Sequence, residues 1–326
     1  MSILITDYTN ITDYTDFTEK ALEIFRFQFS QNPVYKAYCL ALRIDPLAIH
    51  DISSIPFLPV RFFKTHEVRT GLFEPEAVFE SSGTTGSVNS HHAVRSLEIY
   101  EKSFRHGFEN VYGAVSDYCI IGLLPSYLER KNSSLVYMVD KLIRWSGHPE
   151  SGFYLNEFDK LTAVVKELEA AGQKTFLIGV SFALLDWAEK DKLELKHTII
   201  AETGGMKGRR EELIREELHE RLMNAFSVRS IHSEYGMTEL LSQAWSKGEG
   251  KFNCPHWMKI LIRDEEDPFL VNEKGRGTIN IIDLANVHSC SFIATDDVGK
   301  VYEDGSFEVL GRVDGSDLRG CSLMIV

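Results

Sequence analysis

Two hydrophobic rhythms run along the chain, and their order predicts an α/β protein with a strand-rich carboxy-terminal end. Near the amino terminus, DFTEKALEIFRFQFSQNP places Leu22, Phe25 and Phe29 at helical spacing, and Pro33 is expected to stop the helix. Residues 51–80 hold Pro56, Pro59 and Pro75 among several aromatics and read as irregular connections feeding a short strand at AVFE. From residue 116 apolar runs alternate with amphipathic stretches. YCIIGLL is a buried run closed by Pro125, and Asn156 begins NEFDKLTAVVKELEAAG, an amphipathic helix ending at Gly172. TFLIGV then reads as a strand, SFALLDWAEK as a helix, HTIIA as a strand, RREELIREELHERLMNAF as a helix with a charged outer face, and VRSIH (228–232) as another buried strand. Strands alternating with helices in this way predict a largely parallel sheet covered on both faces.

After residue 247 the period shortens to two. KILIRD, GTINIIDLA and VGKVYEDGSFEVLGR are strand-rich, and Asp304-Gly305 between two alternating runs is a hairpin turn. The expected organisation is an α/β body over 1–247 and a β-rich subdomain over 248–326, the two forming one large unit.

Composition narrows the classes. With 44% hydrophobic and 11% aromatic residues in 326, the chain can fill a large core, which excludes general disorder. Lys and Arg number 35 against 48 Asp and Glu, a net charge of −13, which argues against a broad nucleic-acid or anionic-membrane surface. No apolar run approaches the roughly 18 residues that a membrane span requires. The amino terminus lacks a basic segment followed by an apolar stretch, so no secretory signal is expected. Five cysteines, Cys39, Cys119, Cys254, Cys290 and Cys321, are odd in number and widely spread, unlike a disulfide framework; the expected compartment is the reducing cytoplasm.

Four segments carry unusual chemistry, each read as a loop following a strand, where ligands gather in open α/β sheets. Ser81-Ser82-Gly83-Thr84-Thr85-Gly86 combines glycines that let the backbone approach a phosphate with hydroxyls that can donate to it. No Gly-Lys-Ser/Thr follows, so it is not a Walker loop, and a Ser/Gly/Thr-rich surface turn is the plain alternative. Glu202-Thr203-Gly204-Gly205, at a strand-to-helix switch, fits close passage of a flat ligand or a tight turn. Ser233-Glu234-Tyr235-Gly236-Met237-Thr238-Glu239 offers an aromatic to stack on a base, a hydroxyl, and a carboxylate suited to a hard cation such as Mg²⁺. Thr295-Asp296-Asp297, a hairpin, and Gly311-Arg312-Val313-Asp314 bring carboxylates and an arginine that can grip ribose hydroxyls and a phosphate.

SSGTTG, then GG after a strand, then YGMTE, then T-x-D, then GRVD resembles the adenylate-forming superfamily of acyl-CoA synthetases. More narrowly, GLLPSYLER, ETGGMKGRR, DLANVHSCSFIATDDVGKV and GRVDGSDLRGCS resemble the acyl-protein synthetases of bacterial luminescence (LuxE-type), with phenylacetate-CoA ligase-like enzymes as more distant relatives. The resemblance implies the large domain of an adenylate-forming enzyme, with mixed, mostly parallel sheets. It implies that Ser81 to Gly86 wrap the triphosphate of ATP, with Thr84 and Thr85 as hydroxyl donors. It implies that Gly204 and Gly205 lie along the adenine, that Tyr235 stacks on it next to Gly236, and that Thr238 bonds the α-phosphate. Glu239 would bind Mg²⁺, Asp297 the ribose hydroxyls, and Arg312 the ribose or phosphate. Gly179, Val180 and Ser181 would line the acyl pocket, and Cys321 would take the acyl group as a thioester for delivery to a partner reductase or carrier protein. A thiolate is the nucleophile such a step needs, and Arg319 beside it favours the thiolate.

The chain departs from the superfamily pattern at two places. After Gly86 comes Ser87-Val88-Asn89-Ser90-His91-His92 where a lysine is usual; His91 or His92 could stand in weakly, surface histidines being the plainer reading. Only twelve residues follow Asp314, so the small mobile lid domain and its catalytic lysine are expected to be absent. Two Cys/His pairs, Cys254-Pro255-His256 and His288-Ser289-Cys290, could form a zinc site or be ordinary buried residues. Lys207 and Arg130 could approach phosphate or stay solvated. The sequence thus points to an ATP-dependent ligase that activates a carboxylic acid, a fatty acid by the resemblance, and loads it on Cys321. The alternatives are a phenylacetate-type CoA ligase and a non-catalytic acyl- or nucleotide-binding subunit of a reductase complex.

Overall fold

The computed structural model describes residues 8–81, 88–125, 132–155, 157–204, 213–264 and 266–313. Its compact units do not divide at residue 247. A first unit gathers residues 8–106, 237–243 and 253–313, and a second gathers 107–236 and 244–252. The change of hydrophobic period at 247 marks a change of local structure, whereas the division follows which segments bury one another. Buried side chains of the amino-terminal helices bond to the carboxy-terminal strands' connection: the Gln28 amide donates to the Asn286 and Val287 carbonyls at 3.1 and 2.9 Å and accepts from the Ser291 N–H at 3.0 Å. Asn32 donates to the Ser289 carbonyl at 3.0 Å. Leaving such amides without partners in a core would cost about 1–3 kcal/mol each.

In the second unit, strands Cys119–Leu123, Thr175–Val180, Thr198–Thr203 and His232–Tyr235 pair in parallel, Gly152–Phe153 extends one edge, and Ala244–Ser246 runs antiparallel on the other. The six residues Thr175–Val180 are buried throughout, as expected of a parallel strand covered on both faces. Helices Ser134–Ser146, Phe158–Ala170, Ser181–Lys190 and Arg215–Phe226 supply the cover. Phe108 and Tyr112, one turn apart, pack edge-on against Phe176 with centroids at 5.0 and 4.8 Å. The strand expected at VRSIH begins later, at His232. Its parallel partners are Ala201 opposite His232 and Glu202 opposite Ser233, and its burial alternates instead of running continuously apolar.

The first unit is built on antiparallel strands in the order Val271–Asn272, Met258–Arg263, Gly275–Asp283, Phe292–Val301 and Phe307–Arg312, with Leu58–Pro59 alongside Ile293 and Ala294. The hairpin at Asp304-Gly305 is present, closed by the Tyr302 N–H on the Ser306 carbonyl at 2.8 Å. Phe292 is ringed by Phe25, Tyr35 and Phe57 at 6.1 to 6.3 Å. Pro33 does not merely end a helix. Helix Tyr14–Gln31 stops at Asn32, and Pro33 opens a second helix, Pro33–Ala41, in which Asn32 caps the Tyr35 N–H at 3.0 Å. Proline has no N–H to lose in a first helical turn, so the same residue can stop one helix and start the next. Strands Ala77–Glu80 and His91–Val94 form a separate hairpin.

Candidate active site

At the carboxyl edge of the second unit's sheet, strands Thr198–Thr203 and His232–Tyr235 end in polar residues, and Ser181 follows directly on Thr175–Val180. Gly179 lacks a side chain for a packing reason: a Cβ there would lie 2.8 Å from Leu184 Cδ2 and 3.2 Å from Leu123 Cβ. Val180 and Ser181 are fully buried, and Ser181 opens the next helix. The Ser181 hydroxyl lies 2.5 Å from the Gly204 carbonyl and 3.2 Å from a Glu202 carboxylate oxygen. This tie holds Gly204 at φ +69°, a backbone state that favours glycine. Glu202 is buried with His219 Nε2 at 3.7 Å. Burial pushes its pKa up, but the nearby His219, aided by Arg215, outweighs burial and holds it below the ordinary carboxylate value. On the next strand Glu234 accepts the Thr203 hydroxyl at 2.6 Å. Burial, reinforced by Glu202 and opposed by the Thr203 bond, raises its pKa to about 7. Tyr235 is enclosed, edge-on to Phe252 with centroids at 6.0 Å. Gly205 lies outside the described residues, as do Lys207 and Arg130.

In the first unit, Ser81 closes the hairpin: its hydroxyl accepts the Ser90 N–H at 2.8 Å. Ser82, Gly83, Thr84, Thr85 and Gly86 lie outside the described residues. The two histidines that follow part company. His91 is exposed, but His92 is buried on the inner face of its strand, correcting the expectation of a surface pair. His92 Nδ1 donates to the Thr238 carbonyl at 2.7 Å, and Nε2 lies 3.0 Å from Asn286 Oδ1. Burial pushes its pKa down, against the Thr238 bond and the charge of Glu239. Gly236 is the second unit's last residue before the chain passes to the first, where Thr238 and the fully buried Glu239 form a turn.

Thr295, Asp296 and Asp297 do not form a loop. They lie inside strand Phe292–Val301, with Asp297 directly opposite Arg312 on strand Phe307–Arg312. Cross-strand pairing places opposite charges side by side, and Arg312 Nε is 3.2 Å from Asp297 Oδ1 while Nη2 is 3.3 Å from Asp296 Oδ2. The Asp297 N–H donates to the Thr295 hydroxyl, whose proton goes to the Ile279 carbonyl. The Cys/His pairs do not converge: among the described residues no group of three His, Cys, Asp or Glu can hold a metal. Cys290 is buried with its thiol on the Phe292 carbonyl, and burial raises the thiol pKa of both Cys290 and Cys254. Asp314 and Cys321 lie outside the described residues.

Asn286 has no place among the residues the sequence singles out, Glu202 and Glu234 stand in their segments without a role, and His92 figures there only as a weak stand-in for a lysine. A signal existed for Glu202, a carboxylate ending the apolar run TIIA, and for Asn286, set among apolar neighbours in DLANV. For His92 only the alternation of His91-His92-Ala93-Val94 carried one.

The profile of LuxE-type acyl-protein synthetases matches residues 14–326. The long-chain-fatty-acid–luciferin-component ligase of Aliivibrio fischeri is 24% identical over 328 residues, covering 92% of this chain and 85% of that protein. The protein of the same name from Vibrio harveyi is also 24% identical, covering 92% and 84%. Among solved structures, ATP-bound MatB from Rhodopseudomonas palustris aligns with a TM-score of 0.54 at 18% identity, over 72% of this chain and 48% of that one. A 2-hydroxyisobutyryl-CoA ligase in its postadenylation state aligns at 0.60 with 10% identity, over 92% and 68%. The chain spans about half the length of MatB. At these identities the structural likeness speaks to fold, which is that of the adenylate-forming ligases. No helix among the described residues is long and apolar enough to cross a membrane.

Proposed function

The chain belongs to the LuxE family of acyl-protein synthetases, and from that premise we propose that it is an ATP-dependent ligase converting a fatty acid to an acyl-adenylate and then to a thioester on Cys321. The observation that carries the reading is the family match from residue 14 to 326, which runs through all four motif segments and the terminal cysteine. In the first step a carboxylate oxygen of the acid attacks the α-phosphorus of ATP and pyrophosphate leaves. In the second a thiolate attacks the acyl carbon and AMP leaves.

Both steps bring anions together, so oriented donors and positive charge aimed at the phosphates lower the barrier. Ser81 to Gly86 would supply hydroxyl and N–H donors to the phosphates, Thr238 a hydroxyl to the α-phosphate, and Arg312 positive charge. Asp297 keeps carboxylate lone pairs beyond its bond to Arg312 for the ribose hydroxyls. Gly204 and Gly205 would border the adenine; stacking by Tyr235 requires its ring to leave its seat against Phe252. Gly179, Val180 and Ser181 would border the acyl chain. The all-oxygen carboxylate of Glu239 suits a hard divalent cation, and Mg²⁺ there would neutralise phosphate charge. The acceptor beyond Cys321 would be a reductase or carrier protein.

Intact-protein mass spectrometry after incubation with ATP, Mg²⁺ and a mixture of fatty and aryl acids tests the reading. An acyl increment is expected, removable by neutral hydroxylamine and mapped to Cys321. Cys321→Ser should keep acid-dependent ATP–pyrophosphate exchange and lose the increment. Release of AMP only when CoA is added, with acyl-CoA output unchanged in Cys321→Ser, would make the protein a CoA ligase instead.

A further inference from the structure

We propose that His92 and Asn286 are positioning residues that hold the Thr238–Glu239 turn by its two carbonyls, and so set the direction of the Glu239 carboxylate; this rests on Glu239 being the metal-binding residue of the proposed ligase. A buried turn must find partners for its own backbone groups. Here the N–H groups that follow are met within the fold: Leu240 N–H donates to the Met237 carbonyl, and the Leu241 and Ser242 N–H groups both reach Asp283 Oδ2. The carbonyls of the two chemistry-bearing residues are met by side chains from elsewhere. His92 Nδ1 donates to the Thr238 carbonyl at 2.7 Å and Asn286 Nδ2 to the Glu239 carbonyl at 2.7 Å.

The two clamping side chains are themselves fixed. His92 Nε2 lies 3.0 Å from Asn286 Oδ1, the Asn286 amide also donates to the Cys290 carbonyl at 3.0 Å, and the His92 ring packs edge-on to Phe63 at 5.8 Å. Both residues are buried. Their placement links three segments distant in sequence: the strand that follows residues 81–90, the 238–239 turn, and the 283–291 connection. A metal carboxylate held on a fixed backbone binds in one orientation without first being ordered, and loss of such support weakens metal affinity. The arrangement also accounts for the histidine at 92, where the flanking Ala93 and Val94 would lead one to expect an apolar residue.

The test compares full-length wild type with His92→Ala, His92→Gln and Asn286→Asp by two measurements made without any acid substrate. One is hydrogen exchange over residues 237–243; the other is the Mg²⁺ concentration giving half-maximal ATP binding in equilibrium dialysis. His92→Ala and Asn286→Asp should speed exchange at Leu240 to Ser242 and raise the Mg²⁺ half-saturation roughly tenfold. His92→Gln, whose amide can still donate to the Thr238 carbonyl, should recover most of the difference. A folded His92→Ala with unchanged half-saturation overturns the inference, as does a His92→Gln equal to the alanine variant. Should His92→Ala not fold, a shift in Asn286→Asp without one in His92→Gln upholds it, and any other pattern overturns it. Acid-dependent pyrophosphate exchange by wild type reads the ligase function separately. Its absence alongside Mg²⁺-dependent ATP binding removes the ligase reading and leaves the clamp to be judged by the variants; absence of Mg²⁺-dependent ATP binding removes both.

Discussion

Replacing Arg312 with alanine is expected to lower acid-dependent ATP–pyrophosphate exchange by roughly a hundredfold and to destabilise the first unit by about 2–3 kcal/mol. Two features set the size of the stability effect. Arg312 has a side chain only 10% exposed and bonds two carboxylates, Asp297 Oδ1 at 3.2 Å and Asp296 Oδ2 at 3.3 Å. Removing it leaves the Asp297 carboxylate, 11% exposed, beside a second negative charge with no cation between them. The exchange effect has another origin, the loss of fixed positive charge where phosphate charge is redistributed. Asp297→Asn in the same background separates the two: because the exchange effect has its own origin, the double variant should recover stability without recovering activity. Arg312→Lys should recover little exchange, because an ammonium cannot reproduce the guanidinium fork that reaches both carboxylates. Urea unfolding and isotope exchange on wild type and the three variants decide the matter. Wild-type exchange in a destabilised Arg312→Ala would reduce Arg312 to a structural role.

Glu234→Gln is expected to make the protein more stable than wild type above pH 7, by about 2 kcal/mol, and no more stable near pH 4.5. Burial and the neighbouring Glu202 raise the Glu234 pKa to about 7 from an ordinary 4.5. The folded state therefore holds the proton more tightly than the unfolded one. The stability this supplies is whole below about pH 4.5, declines as pH rises, and is gone once pH passes about 7. The full shift would correspond to about 3 kcal/mol at about 1.4 kcal/mol per pH unit; Glu234 is not fully buried, and its partial access to solvent reduces it. A glutamine keeps the oxygen that accepts the Thr203 hydroxyl and carries no charge at any pH. His232 and His288, both lowered to about 4 mainly by burial, bend the curve the other way, since their contribution is present above about 6.5 and lost as pH falls through about 4. Comparing the two proteins at each pH cancels the histidines. Urea midpoints from pH 4.5 to 8.5 make the measurement, and parallel curves would show that Glu234 does not titrate in this range.

Strong local rhythm carried most of the fold. TFLIGV and SFALLDWAEK are strand and helix over the very residues expected, because six buried positions followed by a helical pattern admit few other structures. Asp304-Gly305 forms its hairpin for an equally local reason. Where long-range partners decide, sequence was a poorer guide. Thr295-Asp296-Asp297 looked like a loop because two carboxylates rarely sit in a strand interior; Arg312 across the ladder makes the strand tolerable. His92 looked exposed because its two partners lie 146 and 194 residues away. Pro33 reads as a stop signal because the capping Asn32 serves both helices, a double duty that neither helix announces. At the candidate site, motif order was legible through the family resemblance, whereas the hydrogen bonds that hold Gly204, Thr238 and Glu239 in place were not.

The division of the first unit into three stretches of chain bears on how the protein is made. Residues 107–236 of the second unit are contiguous, and all four of its parallel main strands lie within them. They can pair as soon as they leave the ribosome. The amino-terminal helices emerge first but wait longest: Gln28 finds its carbonyl partners 258 and 259 residues later, and Asn32 its own 257 residues later. Closing loops of that length slows folding. Until Phe292 and its strand follow, the helix face that carries Phe25 lacks the aromatic partner it packs on in the folded unit, and apolar surface left waiting in this way invites aggregation during synthesis.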